Sequence, residues 1–177
     1  MTKNPWNHEF TEVYDYISIA AESFAAPGAG GATLVPFGLT SAWEFTNVLT
    51  KKVTGKMVTP PGIKLSVSPH FGIAWSADDI DTSKDVLWML EYRYSAPGED
   101  MSLLAQDTIY TTSSPISQAN GFAVATFAGM QLVSDTDRAL SFALSRVPGD
   151  SRDTLAKPVV LHGGTFFYVK YRNGEPV

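Results

Sequence analysis

Cysteine is absent from this 177-residue chain, which removes disulfides, thiolate metal sites and cysteine nucleophiles at once. Charge is scarce: Asp, Glu, Lys and Arg make up 18% of the residues, where about a quarter is usual. The surface must then be built largely from Ser, Thr, Asn, Gln and Gly, a composition that suits extensive burial between subunits. No window concentrates basic residues, since the densest point is Lys51-Lys52 with Lys56, and the net charge is −5. Nucleic-acid binding through a basic groove is disfavoured on that ground. No apolar run approaches the roughly 20 residues that a membrane helix needs. The start, Met1 to Glu9, lacks the charged-then-apolar order of a signal peptide, so synthesis in the cytoplasm without secretory export is the expectation. No convincing amphipathic helix of ten residues is present either.

What the chain has instead is alternation with a period of two. In Ile63-Lys64-Leu65-Ser66-Val67-Ser68 the odd positions are apolar, and from Val86 to Tyr94 the even positions carry Val, Trp, Leu, Tyr and Tyr. Successive side chains on a strand point to opposite faces, so this is the pattern of half-buried sandwich strands. Further strands are predicted over Val13–Ala20, Trp43–Thr50, Lys56–Thr59, Asp107–Thr111, Gly121–Phe127, Leu140–Arg146, Val159–His162 and Thr165–Tyr171. Turns are predicted at Pro60-Pro61-Gly62, Asp78 to Lys84, Ser113-Ser114-Pro115, Ser134 to Asp137, Pro148-Gly149-Asp150 and Gly163-Gly164. Glu99–Gln106 is the one candidate for a short helical turn. Many short strands at this spacing indicate an all-β, antiparallel, jelly-roll-like β-sandwich. The organisation expected is a single domain over residues 13–177 with an extended N-terminal arm over residues 1–12.

The Gly/Ala loop from Ala25 to Ala32 lacks the Gly-Lys-Ser/Thr of a phosphate-binding loop. His8, His70 and His162 show no His-x-His ligand spacing, and the strand register puts His70 opposite Phe71, Ile73 and Trp75. Asp78, Asp79 and Asp81 form the acidic cluster, but without EF-hand spacing they read as a turn whose carboxylates cap backbone amides. No metal and no cofactor is expected. Glu91 has no evident second carboxylate for glycoside hydrolysis, and no Gly-x-Ser-x-Gly elbow occurs, so the chain does not read as an enzyme. Trp75, Trp88 and Tyr92 would suit sugar stacking, yet their alternation with apolar partners makes them core residues. Trp6 and Trp43 are less constrained and are candidates for a subunit contact, together with Pro5 and Phe10.

Two regions resemble a known family. Ser66 to Trp75 followed by Asp85 to Tyr92 resembles the "Pro-His-x-x-x-x-Trp" strand and "Val-x-Trp-x-Leu-Glu-Tyr" strand of virion structural proteins of tailed bacteriophages. Leu140 to Arg146, the loop Gly149 to Thr154, Val159 to Gly163 and the closing strand from Tyr168 to Gly174 resemble that family's C-terminal order. Together these regions cover a little more than a third of the chain, and residues 20 to 60 have no counterpart. The resemblance implies a non-enzymatic jelly-roll subunit, most plausibly a homotrimeric decoration or cement protein on the capsid surface. Its partners would be itself and the major capsid protein or another virion protein, with residues 1–12 gripping neighbours. Neither nucleic acid nor a membrane would be a partner. The alternative is a receptor- or carbohydrate-binding subunit of a head or tail fibre.

Overall fold

The computed structural model describes residues 13–64, 66–100, 105, 107–131 and 139–170. Ten strands run β1 Val13–Ala20, β2 Thr33–Phe37, β3 Thr40–Phe45, β4 Lys51–Val58, β5 His70–Ala77, β6 Val86–Ser95, β7 Asp107–Ser113, β8 Ala123–Phe127, β9 Ala139–Arg146 and β10 Val159–Lys170. A 3-10 turn at Ala21–Ser23 follows β1. One sheet has the order β2-β3-β10-β5-β8, with β1 also paired to β10, and the other has the order β4-β9-β6-β7. All ladders are antiparallel. From β3 to β10 every connection passes from one sheet to the other except the step from β6 to β7. That winding is a jelly roll, so the protein is an all-β jelly-roll sandwich.

The core forms between the sheets because the period-two pattern is obeyed on the strands that flank it. On β6, Val86, Trp88, Leu90, Tyr92 and Tyr94 all face inward and are buried. Trp88 lies edge-on to Phe45 at 5.3 Å and to Trp75 at 6.0 Å between ring centroids, which ties the two sheets together. Phe142 of β9 does the same with Phe71 at 4.9 Å and Phe24 at 5.7 Å. The aromatic pattern read as core is core: Trp75 and Trp88 are fully buried and Tyr92 nearly so.

Several sequence expectations are corrected. The expected strand from Ile63 to Ser68 is not formed by its described residues: Ile63 makes only an isolated bridge to Lys170 and Ser66 lies in a turn, while Leu65 lies outside the described residues. Pro60, Pro61 and Pro69 remove ladder donors at both ends, and Gly62 sits at φ +77°, so no continuous strand can start or finish there. Gly163-Gly164 is not a turn either. β10 runs through it with a register shift between Leu161 and Gly163, and the missing side chains allow close approach. A Cβ on Gly163 would meet the Ile19 carbonyl oxygen at 2.7 Å, and one on Gly164 would meet the Phe71 ring at 2.9 Å. The strand near Trp43 covers Thr40–Phe45 and stops before Thr50, while β2 was missed because Pro36 interrupts it. Proline is tolerated there because β2 is an edge strand. The predicted helical turn lies mostly outside the described residues, and its described part, Glu99, Asp100 and Ala105, is not helical.

One charged pair closes an end of the sandwich. Arg146, the last residue of β9, sits opposite Trp88 and is fully buried. Its Nε donates to Asp153 Oδ2 at 2.9 Å and its Nη2 to Asp153 Oδ1 at 2.7 Å. The guanidinium also donates to the carbonyl oxygens of Lys157, at 2.6 Å, and Leu155. Asp153 accepts a further bond from the Leu87 amide at 3.1 Å, so the loop from β9 to β10 is fastened to β6. Removing one partner strands a buried charge, a change that costs about 3–5 kcal/mol. Asp153→Ala should lower unfolding free energy by about that amount in urea titrations; a loss below about 1 kcal/mol would show that the pair is dispensable.

Candidate functional site

A cleft of about 520 Å³ lies on the outer face of the β4-β9-β6-β7 sheet. Its shape follows from β9, whose sequence Ala-Leu-Ser-Phe-Ala-Leu-Ser-Arg sends large residues inward and small ones outward. Leu140, Phe142, Leu144 and Arg146 enter the core, while Ser141 and Ala143 face out. The neighbouring strands carry long outward side chains, Lys52 and Lys56 on β4 and Glu91 and Arg93 on β6. A strand of short side chains between two strands of long ones leaves a groove. The register makes two rows across it, Thr54-Ala143-Glu91 and Lys56-Ser141-Arg93. Ser23 and Ala25 wall one side, held by the bridge between Ala25 and Thr54, and Ala105 lines the other.

Chemically the groove presents both donors and acceptors along walls that are otherwise largely apolar. Among the described residues Lys52, Lys56, Glu91 and Arg93 form no ion pair. The Nε of Arg93 is buried and has no hydrogen-bond partner among them. Among the described residues Glu91 is the only carboxylate that lines the groove. Tyr110 of β7 pairs with Met89 on the same outer face and is half exposed, its ring lying 5.3 Å from the Arg152 guanidinium carbon.

The other sheet presents a different outer face. Tyr14 and Tyr16 of β1 are 77% and 63% exposed, and Tyr16 lies 6.4 Å from Phe167 of β10 between ring centroids. Phe122 and Val124 are also exposed on this side. His162 sits at the β10 bulge, stacked on Phe122 at 5.7 Å and edge-on to Phe37 at 4.6 Å. Its Nε2 lies 2.8 Å from Ser76 Oγ.

The candidate residues of the sequence are scattered rather than gathered. Pro5, Trp6 and Phe10 lie outside the described residues, as does His8. Trp43, read as a possible subunit contact, is buried, and its indole Nε1 donates to the Ala21 carbonyl at 2.7 Å. Its ring belongs to the core and leaves little surface for a neighbour. The aspartate cluster behaves as a capped turn: Asp79 accepts from the Asp81 amide at 2.9 Å, and Asp81 from the Ser83 amide at 3.0 Å. The bond from the Ser83 hydroxyl, with that from the Ser83 amide, holds the Asp81 carboxyl below its ordinary pKa. Among the described residues no group of three His, Asp or Glu is placed to hold a metal ion. The groove went unrecognised in the sequence, although the alternation of small and large residues on β9 and Lys52 and Lys56 of the basic point all belong to it.

No protein-family model matches the chain, and no curated protein does. Solved structures that resemble it include the CBM36-1 domain of a multidomain xylanase from the hindgut metagenome of Trinervitermes trinervoides. That match has 12% identity and a TM-score of 0.46, and covers 92% of this chain and 100% of the other. A low-affinity xylan-binding module, CBM86, from Roseburia intestinalis is 15% identical, with a TM-score of 0.43 and coverage of 89% and 96%. The C-terminal family 22 carbohydrate-binding module of Clostridium thermocellum Xyn10B is 11% identical, with a TM-score of 0.44 and coverage of 90% and 96%. At such low identity and overlap, these likenesses add nothing to what the strand order already shows.

Burial holds the His162 imidazole below its ordinary pKa. The unfolded chain titrates near 6.5, so between that value and the lower folded one it binds the proton that the folded state refuses. Stability therefore falls as pH drops below about 6.5. Melting temperatures at pH 7.5 and pH 5.5 should differ by less in His162→Gln than in the parent; equal drops would place the titration elsewhere.

Proposed function

We propose that this chain is a non-catalytic carbohydrate-binding protein whose ligand lies in the groove along β9. The observation that carries this reading is the trough itself: Ser141 and Ala143 form a low floor between flanking strands that present Thr54, Lys56, Glu91 and Arg93. A sugar chain is a string of hydroxyl groups, each both donor and acceptor. It is matched by fixed side chains of both kinds along an open groove rather than by a deep apolar pocket. Tyr110, on the adjoining strand of the same face, offers a ring for stacking. Glycoside hydrolysis ordinarily takes two carboxyl groups across the scissile bond, and among the described residues Glu91 stands alone in the groove, which favours binding over cleavage. Filling the groove tests the assignment with little effect on the core. Ala143→Trp should weaken binding in affinity electrophoresis against soluble polysaccharides by about tenfold or more while the melting temperature stays near that of the parent. Unchanged binding would place the ligand elsewhere.

A second reading, a homotrimeric decoration protein on a phage capsid, is supported by the exposed aromatic face of Tyr14, Tyr16 and Phe167. Exposed apolar patches of this kind mark contact surfaces. In this reading that face packs against neighbouring copies, and the protein works on the virion beside the major capsid protein. Light scattering at micromolar concentration should then report a trimer that Tyr16→Ser converts to monomer; a parent that is monomeric throughout would count against it.

A further inference from the structure

We infer that the groove along β9 selects anionic polysaccharides, those bearing carboxylate or sulfate groups, over neutral ones. This rests on the reading of the groove as a sugar site and deepens it. The chain as a whole is acidic, at −5, yet among the described residues the groove carries Lys52, Lys56 and Arg93 against Glu91, three positive charges to one negative. Charge of the minority sign has therefore collected where the surface is indented. None of these groups is neutralised by an ion pair among the described residues.

Their placement is linear rather than random. Lys52 and Lys56 share one face of β4 four residues apart, a spacing of roughly 13 Å at strand rise. Arg93 lies across the groove from Lys56, two strand spacings or roughly 10 Å away, with Ser141 between them. A single small anion cannot meet all three at those distances. An extended chain with repeated negative groups can, touching one cation at a time as it runs along the trough. The second observation is the buried Nε of Arg93, which lacks a hydrogen-bond partner among the described residues. That nitrogen is closed to solvent, so a ligand meets the partly exposed guanidinium through its other N–H groups, where a carboxylate or sulfate oxygen is a stronger acceptor than a sugar hydroxyl. Arg93 thus ranks the ligands, while Lys52 and Lys56 raise the local concentration of the anionic chain.

Two matched pairs of polymers test this with the intact chain: polygalacturonate against its fully methyl-esterified form, and dextran sulfate against dextran. Isothermal titration at low salt should show at least one anionic member bound about tenfold tighter than its neutral partner, a margin that added salt shrinks. The pair that shows the margin identifies carboxylate or sulfate as the preferred anion. Arg93→Gln should erase the margin by weakening the anionic member far more than the neutral one, and Lys56→Gln, a change at an exposed residue, should reduce it without any question of folding. Equal affinity within both pairs would overturn the selectivity while leaving sugar binding intact. No binding to any of the four, or to a wider glycan array, would overturn both. A single-stranded oligonucleotide bound as tightly as the acidic glycans would reduce the groove to a general polyanion site and overturn the selectivity as well.

Discussion

The bidentate pair between Arg146 and Asp153 is the interaction on which the rest of the arrangement depends. It lies fully buried at the end of β9, and its two charges are met from every side: by each other, by the carbonyls of Leu155 and Lys157, and by the Leu87 amide. Measured against well-packed apolar residues such a pair adds little net stability, because desolvation offsets most of the attraction. Its value is in position. The loop it anchors also bonds Val147 to Leu87 and Thr154 to Asp85, so β6 is held beside β9 in one register. A slip of one residue would turn Ser141 and Ala143 inward and Phe142 outward, destroying core and groove together.

That register gives β9 two duties. Its inward residues, Leu140, Phe142 and Leu144, fill the sandwich, and Phe142 meets Phe24 and Phe71 of the other layer. Its outward residues are small, so the floor drops between Lys56 on one side and Arg93 on the other. Core packing and groove shape are two faces of the same alternation. The opposite sheet shows the contrary outcome, because β1, β10 and β8 send Tyr14, Tyr16, Phe167 and Val124 outward and leave a raised apolar face. The molecule thus has a hollow on one side and an aromatic platform on the other.

Much of the fold was legible in the sequence, for a reason that also explains the failures. Strands that separate core from solvent must alternate, so β1, β6, β7, β8 and β9 were visible from Val13–Ala20, Val86–Ser95 and their counterparts. Where position was set by backbone approach or missing donors, alternation misled: Ile63 to Ser68 alternates but is bounded by prolines, and Gly163-Gly164 reads as a turn but makes room for Ile19 and Phe71. The motif Leu-x-Phe-x-Leu-x-Arg with a following Asp-Thr, read as a likeness to phage proteins, has a physical content of its own. It encodes three core residues, the buried cation, its counter-charge and the Thr154 bond to Asp85. The groove escaped notice because it is formed by residues brought together from β4, β9 and β6, and only the register shows which of them share a row.

The most direct test is a map of where a ligand sits. Backbone amide shifts of isotope-labelled protein, followed by NMR during titration with oligosaccharides cut from whichever polysaccharide binds, report contact residue by residue. Sugar binding along β9 requires the largest changes at Lys52, Thr54, Glu91, Arg93, Ser141 and Ala143, with Tyr14, Tyr16 and Phe167 unmoved. Shifts confined to those three aromatic residues would contradict the groove as the site.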